Sequence, residues 1–123
     1  MREIRFRAWD YTQNKIRIVT DLMSVCDGSW NVSYDGGENY TGDIVLMQYT
    51  GLHDKNGKEI YEGDIVACTG EKYIVSWHNQ LASWYLKPVN YDGWHGISKS
   101  DMSLMYEIIG NLWENPELLG GAV

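Results

Sequence analysis

Phenylalanine occurs once in 123 residues, proline twice and cysteine twice. The aromatic content comes instead from six Trp and nine Tyr. Each joins a large apolar body to a polar tip that wants a partner, which suits half-buried strand faces better than a Leu/Ala helical bundle. No apolar run approaches the roughly 20 residues of a spanning helix, so no membrane association is expected. The opening "MREIRFRAWD" alternates charged with apolar residues and lacks the unbroken apolar segment of a secretory signal. A cytoplasmic location is the expectation. Cys26 and Cys68 have no CxxC spacing, and buried free thiols are expected rather than a disulfide.

Basic charge is also scarce. The net charge of −7 argues against a general nucleic-acid binder, because phosphate neutralisation needs clustered Lys and Arg. The balance is uneven, however. Residues 1–17 hold Arg2, Arg5, Arg7, Lys15 and Arg17 against Glu3 and Asp10, a local charge of +3 that leaves −10 for the rest.

What is present reads as strand after strand. "EIRFRAW" places Ile4, Phe6 and Ala8 on one face and Arg5, Arg7 and Trp9 on the other. "KIRIVT" opposes Ile16 and Ile18 to Lys15, Arg17 and Val19 across the "DYTQN" turn, so an antiparallel hairpin is predicted. Its outer face would gather Arg5, Arg7, Lys15 and Arg17. Residues 27–43 read as a loop with a ragged strand near Trp30–Tyr34, and "DIVLMQY" as a strand. "DIVACT", "KYIVSWH" and "ASWYLKPV" follow as strands. In the second, Tyr73, Val75 and Trp77 oppose Ile74, Ser76 and His78. In the third, Trp84 and Leu86 point inward and Tyr85 and Lys87 outward, with Pro88 marking an edge. A short helical turn at Ser100–Met105, a strand in "YEIIGNLW" and a final turn capped by Asn115-Pro116 complete the chain.

The connector "QYTGLHDKNGKEIYEGDIV" invites a ligand, and two templates test it. A calcium loop starting at Asp54 fails at Lys58 and Glu59, where a ligand and a glycine are required. A phosphate loop fails at Glu59, which replaces Ser or Thr, and strand rather than helix follows. Asn56-Gly57 between β runs instead predicts a type I′ hairpin turn, with Asp54 and Lys58 dressing a solvated loop. "GDIV" occurs at Gly42–Val45 and Gly63–Val66: Gly for the turn, Asp to bond back to its backbone, Ile-Val to begin a strand. His53, His78 and His95 are scattered without metal-ligand spacing, and no catalytic constellation emerges, so neither a cofactor nor an enzymatic activity is expected. Tyr85, Tyr91, Trp94 and Trp113 are candidates for an exposed aromatic surface, with the loop residue Trp94 foremost.

Three blocks resemble one family. "REIRFRAWD", "MQYTGLHDKNGKEIYEGDIV" and "YEIIGNLWENPELL" are similar to signature blocks of the YopX-like proteins, in the same order and across nearly the whole chain. The resemblance implies a β-rich, oligomer-forming protein encoded by a bacteriophage or prophage, with no catalytic motif to carry over.

The expected architecture is one mainly β domain over residues 1–123, with a hairpin region at 1–48 and a barrel-like region at 49–123. An SH3-like antiparallel sheet with little helix would form the latter. The expected role is non-enzymatic: self-association through the basic hairpin and an acidic surface. Alternatives are a nucleic-acid accessory module, or an inhibitor of a host enzyme. The candidate interaction residues are Arg5, Arg7, Lys15, Arg17, Tyr91 and Trp94, and the candidate partners are a second copy, a host or phage protein, or nucleic acid.

Overall fold

The structure, a computed structural model, describes residues 3–24, 30–35, 39–41 and 44–119. Cys26, the first copy of the "GDIV" turn and parts of the 27–43 loop lie outside the described residues. The chain is mainly β, as expected. Its strands are β1 (Phe6–Asp10), β2 (Lys15–Ser24), β3 (Trp30–Tyr34), β4 (Asn39–Thr41), β5 (Ile44–His53), β6 (Glu59–Tyr61), β7 (Asp64–Cys68), β8 (Glu71–His78), β9 (Ser83–Pro88), β10 (His95–Gly96) and β11 (Glu107–Asn111). Helix α1 (Lys99–Met105) and a closing 3-10 turn (Pro116–Leu119) are short. Among the described residues no helix is long and apolar enough to cross a membrane. Two compact units divide the chain, Glu3–Gln48 and Tyr49–Val123.

In the first unit β1 lies between β2 and the start of β5, in the order β4-β3-β2-β1-β5. A central strand is covered on both sides, and Ala8, Trp9 and Asp10 are accordingly buried in succession. Ala8 packs with Val32 and Tyr34, flanked by Val19, Leu22 and Leu46. Asp10 builds the β1–β2 turn. Its Oδ1 accepts the Thr12 and Gln13 N–H groups at 2.8 and 3.2 Å, and the Tyr34 hydroxyl donates to its Oδ2 at 3.4 Å.

That turn has four residues, closed by the pair Asp10 and Lys15. An even-numbered turn sets odd positions of one strand opposite even positions of the other, so Arg7 faces Ile18 and Ala8 faces Arg17. The four hairpin cations therefore do not share a face. Arg5 and Arg7 belong to the side of Ile16 and Ile18, whereas Lys15 and Arg17 belong to the side of Ala8. Like charges are thereby kept from facing each other across the pair. Arg17 is committed within the unit: its guanidinium lies 4.4 Å from the Tyr34 ring centre and donates to Gln13 Oε1 at 2.7 Å. Arg5 pairs with Glu3 at 2.9 Å.

In the second unit β7, β8 and β9 form an antiparallel sheet edged by β10 and β11, in the order β10-β9-β8-β7-β11. Tyr49 and His53 of β5 pair with β6. The core gathers Ile60, Val66, Tyr73, Val75, Leu86 and Met102. Met102 comes from α1, whose cap Ser98 accepts the Asp101 N–H at 3.1 Å. The sheet is open, not closed into a barrel. One edge, β10, is only two residues long, and the other is already occupied by the β5–β6 turn.

That turn differs from the type I′ expectation. Gly57 has φ +81°, but Asn56 does not share the positive φ. Gly57 N–H bonds to the Asp54 carbonyl at 3.0 Å and Asp54 N–H to the Lys58 carbonyl at 2.9 Å, a type I turn closed by a left-handed glycine. Asp54 explains the choice. It is 2% exposed rather than solvated, and its Oδ1 accepts the N–H groups of Asn56 and Lys58, each at 2.9 Å. Its Oδ2 reaches out of the turn and accepts the Ile108 N–H at 2.9 Å. Lys55 N–H donates to the Tyr106 carbonyl at 2.9 Å. Together these dock the turn against the first half of the outer edge of β11. Asp64, by contrast, does what the "GDIV" pattern predicts, with Oδ2 accepting the Tyr61 N–H at 2.8 Å beside Gly63.

The type I′ turn is instead at Thr69-Gly70, where φ is +49° and +84° between the paired Cys68 and Glu71. A β-branched residue is strained there, and Asn adopts this conformation more readily. Thr69→Asn is expected to raise the unfolding free energy by about 1 kcal/mol in urea titrations; an unchanged or lower midpoint would show that the Thr69 hydroxyl, 2.8 Å from the Cys68 carbonyl, offsets the strain.

Candidate functional site

The register of β8 and β9 decides what their two faces carry. Ser76 pairs with Tyr85, Trp77 with Trp84 and His78 with Ser83 across the four-residue turn 79–82. Tyr73, Val75 and Leu86 lie on the core side, and Trp77 and Trp84 continue that side to the sheet's end, edge to face at 5.0 Å. Trp77 is left 42% exposed there. The opposite face of β8 and β9 carries Lys72, Ile74, Ser76 and His78 beside Ser83, Tyr85 and Lys87.

On this second face the aromatic rings are linked. His78 meets Tyr85 edge to face at 5.3 Å and Trp94 at 6.1 Å with the planes tilted by 58°. Trp94, the residue before β10, is 56% exposed. His78 is held in place by its own turn, since Nδ1 accepts the Leu81 N–H at 3.1 Å. Leu81 is itself exposed at the tip. Exposed Trp94 and half-buried Tyr85 and His78 thus form a contiguous platform, and partly exposed aromatics grouped this way mark recognition surfaces.

Tyr91 takes the other side. His95 pairs with Leu86 and so turns toward the core face, where its Nε2 is hydrogen-bonded to the Tyr91 hydroxyl at 2.7 Å. His95 also meets Tyr73 edge to face at 5.4 Å. The hydrogen bond with the Tyr91 side chain, then burial, push Tyr73 up to about 12, so it stays a neutral phenol throughout the physiological range. Burial raises Tyr106 as well. A cleft of about 410 Å³ is lined by the loop from Lys87 to Gly93, Tyr91 included.

Of the four aromatic candidates, the structure unites Tyr85 and Trp94, places Tyr91 with His95, and leaves Trp113 half-buried at the end of β11. Arg5, Arg7, Lys15 and Arg17 belong to the first unit and to two different faces of it. His78 was the missed member. The outward positions of His78, Tyr85 and Lys87 are legible from alternation alone, but their union needs the register that the 79–82 turn sets. Among the described residues no group of three His, Cys, Asp or Glu is placed to hold a metal ion.

The sequence and the fold are both matched by known proteins. A family model described as YopX protein covers residues 5–120. The chain belongs to the YopX protein family. The crystal structure of protein EF1440 from Enterococcus faecalis is similar to this family member, with a TM-score of 0.70 and 26% identity over 97% of this chain and 99% of that one. A comparison with curated proteins gives no match. The likeness to EF1440 carries the fold of this YopX family member, and its function has to be argued from its surfaces.

Proposed function

We propose that this YopX family member is a non-enzymatic binding module whose working surface is the face of β8 and β9 that carries His78, Tyr85 and Trp94. The observation that supports this reading is the linked set of rings on one hairpin face, Trp94 exposed and His78 and Tyr85 half-buried, held by cross-strand pairing and by the His78–Leu81 bond. Rigid Trp and Tyr side chains bind with little loss of conformational freedom, which is why they dominate binding hot spots. A phage or prophage origin and assembly into oligomers accompany the reading through the family resemblance.

Self-association by charge is the second reading, favoured by the +3 and −10 division of the sequence. It has to work without a common basic hairpin face. If charge drives it, the mass measured by light scattering falls as salt is raised.

The binding-module reading is tested by titrating isotope-labelled protein with the protein, nucleic-acid and polysaccharide fractions of a bacterial extract. Amide shifts are expected to cluster at residues 72–96 with at least one fraction. Shifts confined to the first unit, or none with any fraction, overturn it.

A further inference from the structure

The β8 and β9 strip that carries the rings is basic, and Glu107 lies on the same sheet face across Ala67 from Lys72. None of the β8 and β9 residues on that face is acidic, although the chain has 17 Asp and Glu. Two of them, Lys72 and Lys87, are basic, Lys87 exposed and Lys72 half-buried. With these two cations on the face, the remainder of the chain carries −9. Ser76 adds a hydroxyl opposite Tyr85, and Ser83 adds one opposite His78 at the end of the face away from the lysines. The rings meet edge to face or tilted rather than stacked on one another, so they do not bury each other's surfaces completely.

Resting on the reading above, we infer that the occupant of this face is single-stranded nucleic acid, its bases on Tyr85 and Trp94 and its phosphates on Lys72 and Lys87. Bases stack on aromatic side chains irrespective of sequence, and lysines beside the rings follow the backbone. The rings select a single strand. A duplex keeps its bases paired and stacked inside, whereas an unpaired strand presents them to Tyr85 and Trp94 while its phosphates reach Lys72 and Lys87. Two phosphate contacts make the binding modest and strongly salt-dependent. The apparent log Kd is expected to rise with log salt at a slope of about 1.4, or about 0.7 per phosphate.

Fluorescence anisotropy of the full chain with labelled oligothymidylate and oligouridylate of about 12 nucleotides, at about 50 mM salt, tests this. Binding with quenching of Trp fluorescence is expected, and weaker binding to a duplex of the same length. Tyr85→Ala and Trp94→Ala should each weaken it about tenfold or more, while Trp94→Phe keeps most of it. Lys87→Ala should lower the salt slope by about 0.7. Met23→Ala, at an exposed position of the first unit, should change nothing. Circular dichroism checks that each variant is folded. No single-strand binding, equal binding to duplex, or insensitivity to Tyr85 and Trp94 overturns the inference. If oligonucleotides fail while a protein or polysaccharide fraction still shifts residues 72–96, the occupant is of another class and the binding-module reading stands.

Discussion

Asp54→Ala is expected to lower the unfolding free energy by about 4 kcal/mol, the largest effect of any single substitution considered for this chain. The carboxylate accepts three backbone N–H groups, from Asn56, Lys58 and Ile108, each at 2.9 Å. Hydrogen bonds to a charged group contribute about 1.5–3 kcal/mol each, and removing the acceptor leaves part-buried N–H donors unpaired. Asp54→Asn keeps one oxygen but turns an amide NH2 toward a donor, and is expected to cost about half as much. Urea unfolding measures both; a loss under about 1 kcal/mol for Ala would show that water replaces the carboxylate.

The same residue makes a pH prediction. Burial pushes the Asp54 carboxyl up, but the N–H groups of Ile108, Lys58 and Asn56, aided by the Lys58 charge, outweigh it and hold it below the ordinary 3.8. A depressed folded-state value means that the unfolded chain takes up the proton first. The stabilisation is therefore complete above the ordinary value and is lost as pH falls through the folded one. The stability difference between the native chain and Asp54→Asn should be level above about pH 5 and shrink steadily below pH 4. A constant difference down to pH 2 would remove the charge from the explanation.

Gly110→Ala is the second large effect, expected to cost about 2–3 kcal/mol. Here the requirement is space rather than dihedral freedom. A Cβ at position 110 would sit 2.6 Å from Asn115 Oδ1 and 2.8 Å from Leu118 Cδ1. Asn115 cannot simply step aside, because its Oδ1 accepts the Asn111 N–H at 3.2 Å and its carbonyl accepts the Leu118 N–H that starts the closing turn. Asn111 in turn holds the Trp113 and Glu114 N–H groups on its Oδ1. The methyl would thus press on a chain of bonds running from β11 to the 3-10 turn. Thermal unfolding should show a lower midpoint for Gly110→Ala, and a further Leu118→Ala change should recover part of the loss by making room. No recovery would mean that Asn115, not Leu118, is the unyielding neighbour.

Strand positions, the Asp64 turn and the closing turn at Pro116 are legible in the sequence because each depends on residues within a few positions of one another. The misread features depend on parity or on distant partners. A hairpin turn of three or five residues would have joined Arg5, Arg7, Lys15 and Arg17 on one face; the four residues of Tyr11–Asn14 divide them. Asn56-Gly57 looked like a type I′ turn, but the acceptor that decides its geometry, Asp54, also answers to Ile108, more than 50 positions away. The His78–Tyr85–Trp94 platform was half visible as outward positions on separate strands. What joined them was register, which alternation within a strand does not contain.

The docked turn also acts as a chain terminator. An unpaired strand edge is a template, and a molecule with one at each side of a sheet can grow end to end. Here the edge of β11 is consumed internally by Asp54 and Lys55, and the opposite edge is the two-residue β10. Growth by strand addition to this sheet is therefore stopped at both ends. Removing the Asp54 carboxylate frees a donor on one of them, so the loss of stability in Asp54→Ala should arrive with concentration-dependent aggregation, as a stop becomes a start.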